Sequence, residues 1–170
     1  MHNDSVALAT KGFLVMKRKE TSGNDWHYIK RKNGVAVLAL TKKGEIIFVT
    51  QRRPIINKTL LEIPAGGIEE GRSLIQEAKR ELQEETGFYP KKIKKLIEIY
   101  PTPGYYTEKT SIFLATDLVE KKKNPTKEEK NNQLRVVKKT IPQVLRAITK
   151  GEINDAKTIV AVLFYLKDKG

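Results

Sequence analysis

Four glutamates, Glu77, Glu81, Glu84 and Glu85, follow one another at spacings of four, three and one. On a helix turning about 100° per residue they fall within one arc, with Ile75, Ala78 and Leu82 as the adjoining apolar stripe. Like charges at such spacings repel by roughly 0.2–0.5 kcal/mol per pair. A hard divalent cation reverses that sign, because Mg²⁺ seeks oxygen ligands and bridges protein carboxylates to substrate phosphates. The ordinary meaning of an acidic helix face is solvation. Solvation alone would require neither the pair Gly66-Gly67 shortly before the helix nor Arg80 inside the acid run.

The elements that must position these groups are legible around them. Ser73 is a good N-cap, and Gly87 follows as a left-handed C-cap, so the helix should run from about Ser73 to Thr86. Val35 to Leu40 is a continuous apolar run bounded by Gly34 and the Lys42-Lys43-Gly44 turn, which suits a strand buried on both faces. Glu45 to Gln51 is its hairpin partner, ended by Arg52-Arg53-Pro54. The pair Arg52-Arg53 at a strand end makes chemical sense as a phosphate clamp. Leu60 to Ala65 reads as one short strand leading into the glycines, and Ile93 to Tyr100, Lys109 to Leu118 and Leu134 to Lys139 as further strands. Helices are expected at Ile141 to Lys150 and Asp155 to Leu166, and a polar loop at Glu120 to Asn132. Residues 11–32 suggest a polar-edged hairpin carrying Trp26 and Tyr28. The expected class is α+β: a mixed sheet layered between helices, with a short N-terminal hairpin arm (1–32) on a core (33–170), all in one domain of 170 residues.

Composition narrows the chemistry further. The absence of cysteine excludes disulfides and thiolate metal sites. A formal net charge of +13 favours anionic partners such as nucleotides or nucleic acid. The lysine runs lack the interleaved aromatics of a single-strand-binding surface, so nucleic acid is the less favoured partner. No apolar run has membrane-spanning length, and residues 1–9 lack the basic and apolar regions of a signal peptide, which suggests a cytoplasmic protein with no membrane partner. His2 and His27 fit no ligand pattern and receive no role.

The stretch Gly66 to Phe88 resembles the Nudix box, Gly-x5-Glu-x7-Arg-Glu-(apolar)-x-Glu-Glu-x-Gly-(apolar). It matches at Gly66, Arg80, Glu81, Leu82, Glu84, Glu85, Gly87 and Phe88, and departs at Arg72, where the pattern has Glu. Leu61 to Gly67, Pro103 to Glu108, and Gly151 to Ile159 resemble the ADP-ribose and nucleoside-diphosphate-sugar pyrophosphatases of that family.

The resemblance implies a Mg²⁺- or Mn²⁺-dependent enzyme that splits the pyrophosphate of ADP-ribose or a related nucleotide sugar. It implies that Glu81, Glu84, Glu85 and the Ala65 carbonyl hold metal, that Arg80 ties the helix to its preceding loop, and that Arg53 reaches the pyrophosphate. Trp26 and Tyr28 correspond to base-stacking aromatics, often supplied across a homodimer, and Glu108 to a ribose-binding or turn-capping residue. If Trp26 and Tyr28 are not the base platform, Tyr105 and Tyr106 are the next aromatics to consider. Arg72 and Arg80 should repel unless Glu69, Glu70 or Glu77 compensates, so a glutamate at position 72 should stabilise the helix start. Lys130 to Gln133 occupy the positions where the subfamily often keeps a catalytic glutamate, which leaves Glu120, Glu128, Glu129 or Glu81 as the base. Two rival expectations stand beside this one: a Nudix enzyme acting on RNA 5′ ends, and a nucleotide-binding Nudix domain with little catalysis.

Overall fold

The computed structural model describes residues 3–10, 13–19, 23–123 and 134–168. The N-terminal arm is a three-stranded antiparallel sheet of β1 (Asn3–Thr10), β2 (Phe13–Lys19) and β3 (Asp25–Lys30). It has one strand more than the expected hairpin. Val6 and Leu8 stay exposed, so β1 forms by pairing its backbone with β2 rather than by burying an apolar face, and it shows no inside-outside alternation to read. The arm is tied to the core where Ile29 N donates to Tyr105 O (2.7 Å) and Thr107 N to Ile29 O (3.2 Å).

The core sheet runs β10-β5-β4-β9-β8, from Arg135–Lys139 through Ile46–Arg53, Gly34–Leu40 and Thr110–Glu120 to Phe88–Ile99. It is mixed: β4 and β9 are parallel and the other pairs antiparallel. Its two faces bury alternate residues, as a period of two demands. Val35, Val37 and Ala39 of β4 pack with Phe113 and with Ala78 and Leu82 of α1 (Leu74–Thr86). Ala36, Leu38 and Leu40 pack with Phe48 and with α2 (Ile141–Thr149) and α3 (Ala156–Lys167). Helices on both faces explain why β4 is apolar throughout. Among the described residues no helix is long and apolar enough to cross a membrane.

One irregularity positions the site. β4 and β5 pair only at Ala39–Leu40 and then diverge. The chain from Lys58 to Gly67 fills the gap, first as β6 (Lys58–Glu62) on β5 and then as β7 (Ala65–Gly67) on β4. The single strand expected over Leu60 to Ala65 is therefore two strands. Pro64 has no N–H to continue a ladder, its carbonyl accepts from Val37 N (2.8 Å), and Ile63 N donates instead to Thr158 Oγ1 (2.9 Å). β8 also begins earlier than expected, directly after the Gly87 cap, because the lysines of an exposed edge strand hide its alternation.

Candidate functional site

The helix α1 is fixed at both ends by its own sequence. Ser73 Oγ accepts from Gln76 N (3.3 Å), and Gln76 Oε1 accepts from Ser73 N (2.9 Å), a complete capping box. Gly87, at φ 79°, donates its N–H to Gln83 O (2.8 Å). Between these ends Glu77, Glu81 and Glu85 are buried, at 0, 5 and 3% exposure, on the face turned to the sheet. Ile75, expected in the apolar stripe, is instead 46% exposed, because it lies at the rim of the arc that Ala78 and Leu82 bury.

Burying carboxylates is costly unless they are paired or hydrogen-bonded. Arg80 supplies much of that pairing, with bonds to Glu77, Glu81 and Glu84. Burial acts to lower the Arg80 pKa, but the bond to Glu77 and the charges of Glu81 and Glu84 win and raise it above the ordinary arginine value. Arg72 is accommodated as the sequence allowed. It pairs with Glu69 (3.2 Å) and approaches Glu77 (3.8 Å), so Glu77 lies between the two arginines. Glu77 Oε2 is buried without a hydrogen bond among the described residues.

Glu81 and Glu85, one turn apart, meet β7. Glu85 Oε2 accepts from Ala65 N (3.2 Å). A Cβ on Gly66 would lie 2.1 Å from Glu81 Oε1, so glycine is required for the strand to approach this carboxylate. Glu84 points elsewhere and lines a shallow hollow with Arg80, Gln76 and Tyr89. Among the described residues no three acidic or histidine side chains are grouped closely enough to hold a metal by themselves. The chemistry of the donors nonetheless suits a hard cation: two buried carboxylates beside a backbone strand, where Mg²⁺ takes one or two protein carboxylates and completes its shell with water and substrate oxygens.

Ala65 and Gly66 form one wall of a cleft of about 910 Å³, which Arg31, Arg53, Glu108 and Lys157 also line. Glu108 pairs with Arg31 (3.7 Å) and accepts from Thr110 Oγ1 (3.3 Å). Arg53 grips Glu62, with Nε donating to Oε1 (2.8 Å) and Nη2 to Oε2 (2.7 Å). Glu62 is 1% exposed. Burial acts to raise its pKa, but hydrogen bonds from Arg53 and the charge and bond of Lys157 outweigh that and hold it below the ordinary value. Sequence reasoning gave Glu62 and Lys157 no role. The available signal was a single carboxylate inside the apolar run Leu60 to Ala65, which must find a cation if it is buried.

Trp26 and Tyr28 do not line this cleft. With Tyr106, Pro103 and Arg18 they surround a separate hollow of about 270 Å³ between the arm and the 101–107 loop. Trp26 is 54% exposed, and the Arg18 guanidinium lies 5.3 Å from the Tyr28 ring while bound to Asp4 (2.7 and 3.0 Å). Tyr106 therefore shares one hollow with Trp26 and Tyr28 rather than offering a separate place for a base. Glu120 ends β9, exposed, paired in register with Phe88. Glu128, Glu129, His2 and the 130–133 segment lie outside the described residues.

Residues 30–159 match the NUDIX domain. The chain is 38% identical over 138 residues to ADP-ribose pyrophosphatase of Bacillus subtilis, covering 80% of this chain and 73% of that one. It is 28% identical over 174 residues to GDP-mannose pyrophosphatase of Escherichia coli strain K12, covering 98% and 87%. It is also 32% identical over 136 residues to the methanol dehydrogenase activator of Bacillus methanolicus, covering 80% and 73%. A crystal structure of an ADP compounds hydrolase superposes with a TM-score of 0.81 over 100% of this chain and 95% of that one, at 22% identity, a likeness of fold. With the glycine-to-carboxylate contact and the caps of α1 in place around the matched box, the chain belongs to the Nudix family.

Proposed function

We propose that this protein hydrolyses the pyrophosphate of nucleoside diphosphate sugars, with ADP-ribose as the leading substrate, giving a nucleoside monophosphate and a sugar phosphate. The observation that carries this reading is the convergence at one cleft of β7, the carboxylates Glu81 and Glu85 behind it, and the cation Arg53. Two relatives named for pyrophosphatase activity on nucleotide sugars support it.

In this reading Glu81, Glu85 and the Ala65 carbonyl would hold Mg²⁺ or Mn²⁺, and Glu84 would join them only by leaving the Arg80 pairing that holds it in its own hollow. When bound, the cation supplies Lewis acidity and neutralises charge on the pyrophosphate. Arg53 has N–H groups beyond the two that grip Glu62, and these orient the phosphates in the cleft. Glu81 receives the proton of the attacking water, being a carboxylate that abuts the cleft at Gly66. Arg80 holds the acid cluster together rather than touching substrate. Glu108, which lines the cleft close to Gly34 and Gly66, meets a ribose hydroxyl. Trp26 and Tyr28 stack on the base across a homodimer, the exposed ring of Trp26 being available for that contact.

The test is a panel of ADP-ribose, GDP-mannose, other nucleotide sugars and capped RNA, incubated with Mg²⁺ or Mn²⁺ and scored for released monophosphate. ADP-ribose should give AMP, and chelation should stop the reaction. Release from RNA ends alone, or from nothing, would overturn the proposal.

A further inference from the structure

We propose that a face outside the cleft, where α1 meets the first residues of β8, binds single-stranded nucleic acid across the Tyr89 ring. This goes beyond the pyrophosphatase reading and implies no cleavage of the strand.

The positive charge of the chain is unevenly neutralised. The run Lys91 to Lys95 is dense in lysine, yet Lys92 pairs with Asp117 (2.8 Å), Lys94 with Asp168 (3.4 Å) and Lys95 with Glu98 (3.0 Å). Lys79 of α1, Lys121 and Lys122 after β9, and Lys138 of β10 have no carboxylate partner among the described residues. Three of these four lie over rings instead. Lys121 Nζ is 4.1 Å and Lys79 Nζ 5.6 Å from the centroid of Tyr89, and Lys138 Nζ is 4.8 Å from that of Phe88. Phe88 and Tyr89 are neighbours in the chain, and Lys121 is pinned beside them by its N–H, which donates to Gly87 O (2.7 Å). The lysine runs themselves contain no aromatic residue, so the fold supplies the rings that the sequence withholds from them. None of these six residues lines the cleft.

Cations beside an aromatic ring are the combination that holds single strands without sequence preference: the backbone phosphates take the ammonium groups and a base takes the ring. The lysines over Tyr89 can yield it. A lysine on an exposed ring is worth about two- to fivefold in an equilibrium constant, whereas a base stacked on an aromatic side chain is worth about five- to 150-fold. A lysine displaced from the ring also gains a phosphate. Tyr89 and Lys79 border a hollow of about 320 Å³ that Gln83 lines too, with an amide that can donate to a base edge or accept from it. A duplex keeps its bases stacked and away from such a ring. An anionic membrane would require apolar side chains free to insert, and Phe88 is instead packed against the core shared by Leu82 and Phe113.

The test is fluorescence anisotropy with labelled oligouridine at several salt concentrations. Wild type is compared with Tyr89→Leu, Tyr89→Phe and two double variants, and all are melted thermally. Lys79→Gln/Lys121→Gln removes two unpaired lysines, and Lys92→Gln/Lys94→Gln removes the same charge from the paired run. With three or four phosphates neutralised, the logarithm of wild-type affinity should fall against the logarithm of salt with a slope of about −2 to −3. Lys79→Gln/Lys121→Gln should make that slope shallower by about 1.4, and Lys92→Gln/Lys94→Gln should change it less. Tyr89→Leu should weaken binding at least about fivefold and leave the slope alone, because a stacked base releases no counterions. Tyr89→Phe keeps the ring and should bind as the wild type does. Should Tyr89→Leu melt too low to be assayed, the two lysine pairs decide. Excess ADP-ribose should not displace the oligouridine; displacement would put the strand in the cleft and overturn the proposal. So would a loss in Lys92→Gln/Lys94→Gln as large as in Lys79→Gln/Lys121→Gln, or equal affinity for a duplex of the same length. A wild type that ignores oligouridine at micromolar concentration would overturn it too, whether or not phosphatidylserine vesicles retain the protein.

Discussion

Replacing Gly66 with alanine is the sharpest probe of how the carboxylates are held. The new Cβ would lie 2.1 Å from Glu81 Oε1 and 2.2 Å from its Cδ, where an ordinary contact begins at 3.4 Å. The carboxylate must therefore retreat by about 1.3 Å. It has little room for this, being 5% exposed and bonded to Arg80. Overpacking of this kind costs roughly 1–3 kcal/mol. Loss of glycine's freedom in the unfolded chain returns about 0.4–1 kcal/mol. The net destabilisation should be about 1–2 kcal/mol, a fall of roughly 3–6 °C in Tm for a chain of this size. Catalysis should suffer more, because a displacement near 1 Å of a reacting group can cost about 10²-fold. The decisive control is the same substitution in a Glu81→Ala background, where the obstacle is gone. There Gly66→Ala should cost nothing or stabilise slightly. Equal destabilisation in both backgrounds, or a Gly66→Ala enzyme with parental kcat, would refute the contact as the reason for this glycine.

Other outcomes follow from the same geometry. Glu85→Gln should lower the rate by at least ~10²-fold if the carboxylate holds the cation, and a near-parental rate in the presence of Mg²⁺ would remove it from the site. Arg72→Glu should destabilise by up to about 1 kcal/mol rather than stabilise, because Arg72 pairs with Glu69 and faces the buried Glu77; a raised Tm would contradict this. The depressed pKa of Glu62 makes its contribution to stability fully present above the ordinary carboxylate range and lost as pH falls through its folded value. The stability gap between wild type and Glu62→Gln should therefore narrow as pH falls below 4.5, and a gap independent of pH would oppose the assignment. Trp26→Ala should raise KM more than it lowers kcat if the ring stacks on a base, and light scattering should report a dimer; a fully active monomer would defeat the shared site.

The helix and the buried strand were legible because their signals are local. Ser73 and Gly87 cap α1 within its own sequence, and the apolar run of β4 needs only the knowledge that helices cover both sheet faces. The glutamate arc was legible for the same reason, and so was the compensation of Arg72 by Glu69 and Glu77, which lie within a few residues of it. What could not be read are pairings between segments far apart in the chain. Lys157 meets Glu62 across ninety-five residues, and no periodicity joins them. Equally hidden was the exposed strand β1, which forms by hydrogen bonding and carries no buried face to announce it.

The crossing at Ile63-Pro64 connects these observations. Had Leu60 to Gly67 continued as a single strand on β5, Ala65 and Gly66 would not have paired with β4. The approach of Gly66 to Glu81 and of Ala65 to Glu85 would then be lost. The break sends Glu62 and Ala65 to neighbouring strands. Glu62 stays with the cations of β5 and α3, and Ala65 with the carboxylates of α1. A cationic wall and an acidic wall thus arise four residues apart in the chain, from Glu62 to Gly66, on either side of one proline. Under the proposed pyrophosphatase reading, an anionic substrate and the cation that accompanies it would use both walls. Pro64→Ala tests the point without touching a charged group. It restores an N–H at the crossing, which must find an acceptor or remain buried without one, at a cost of about 1–3 kcal/mol. If the crossing only connects strands, activity should follow stability. If it sets the spacing of the two walls, kcat/KM should fall at temperatures where Pro64→Ala is still fully folded.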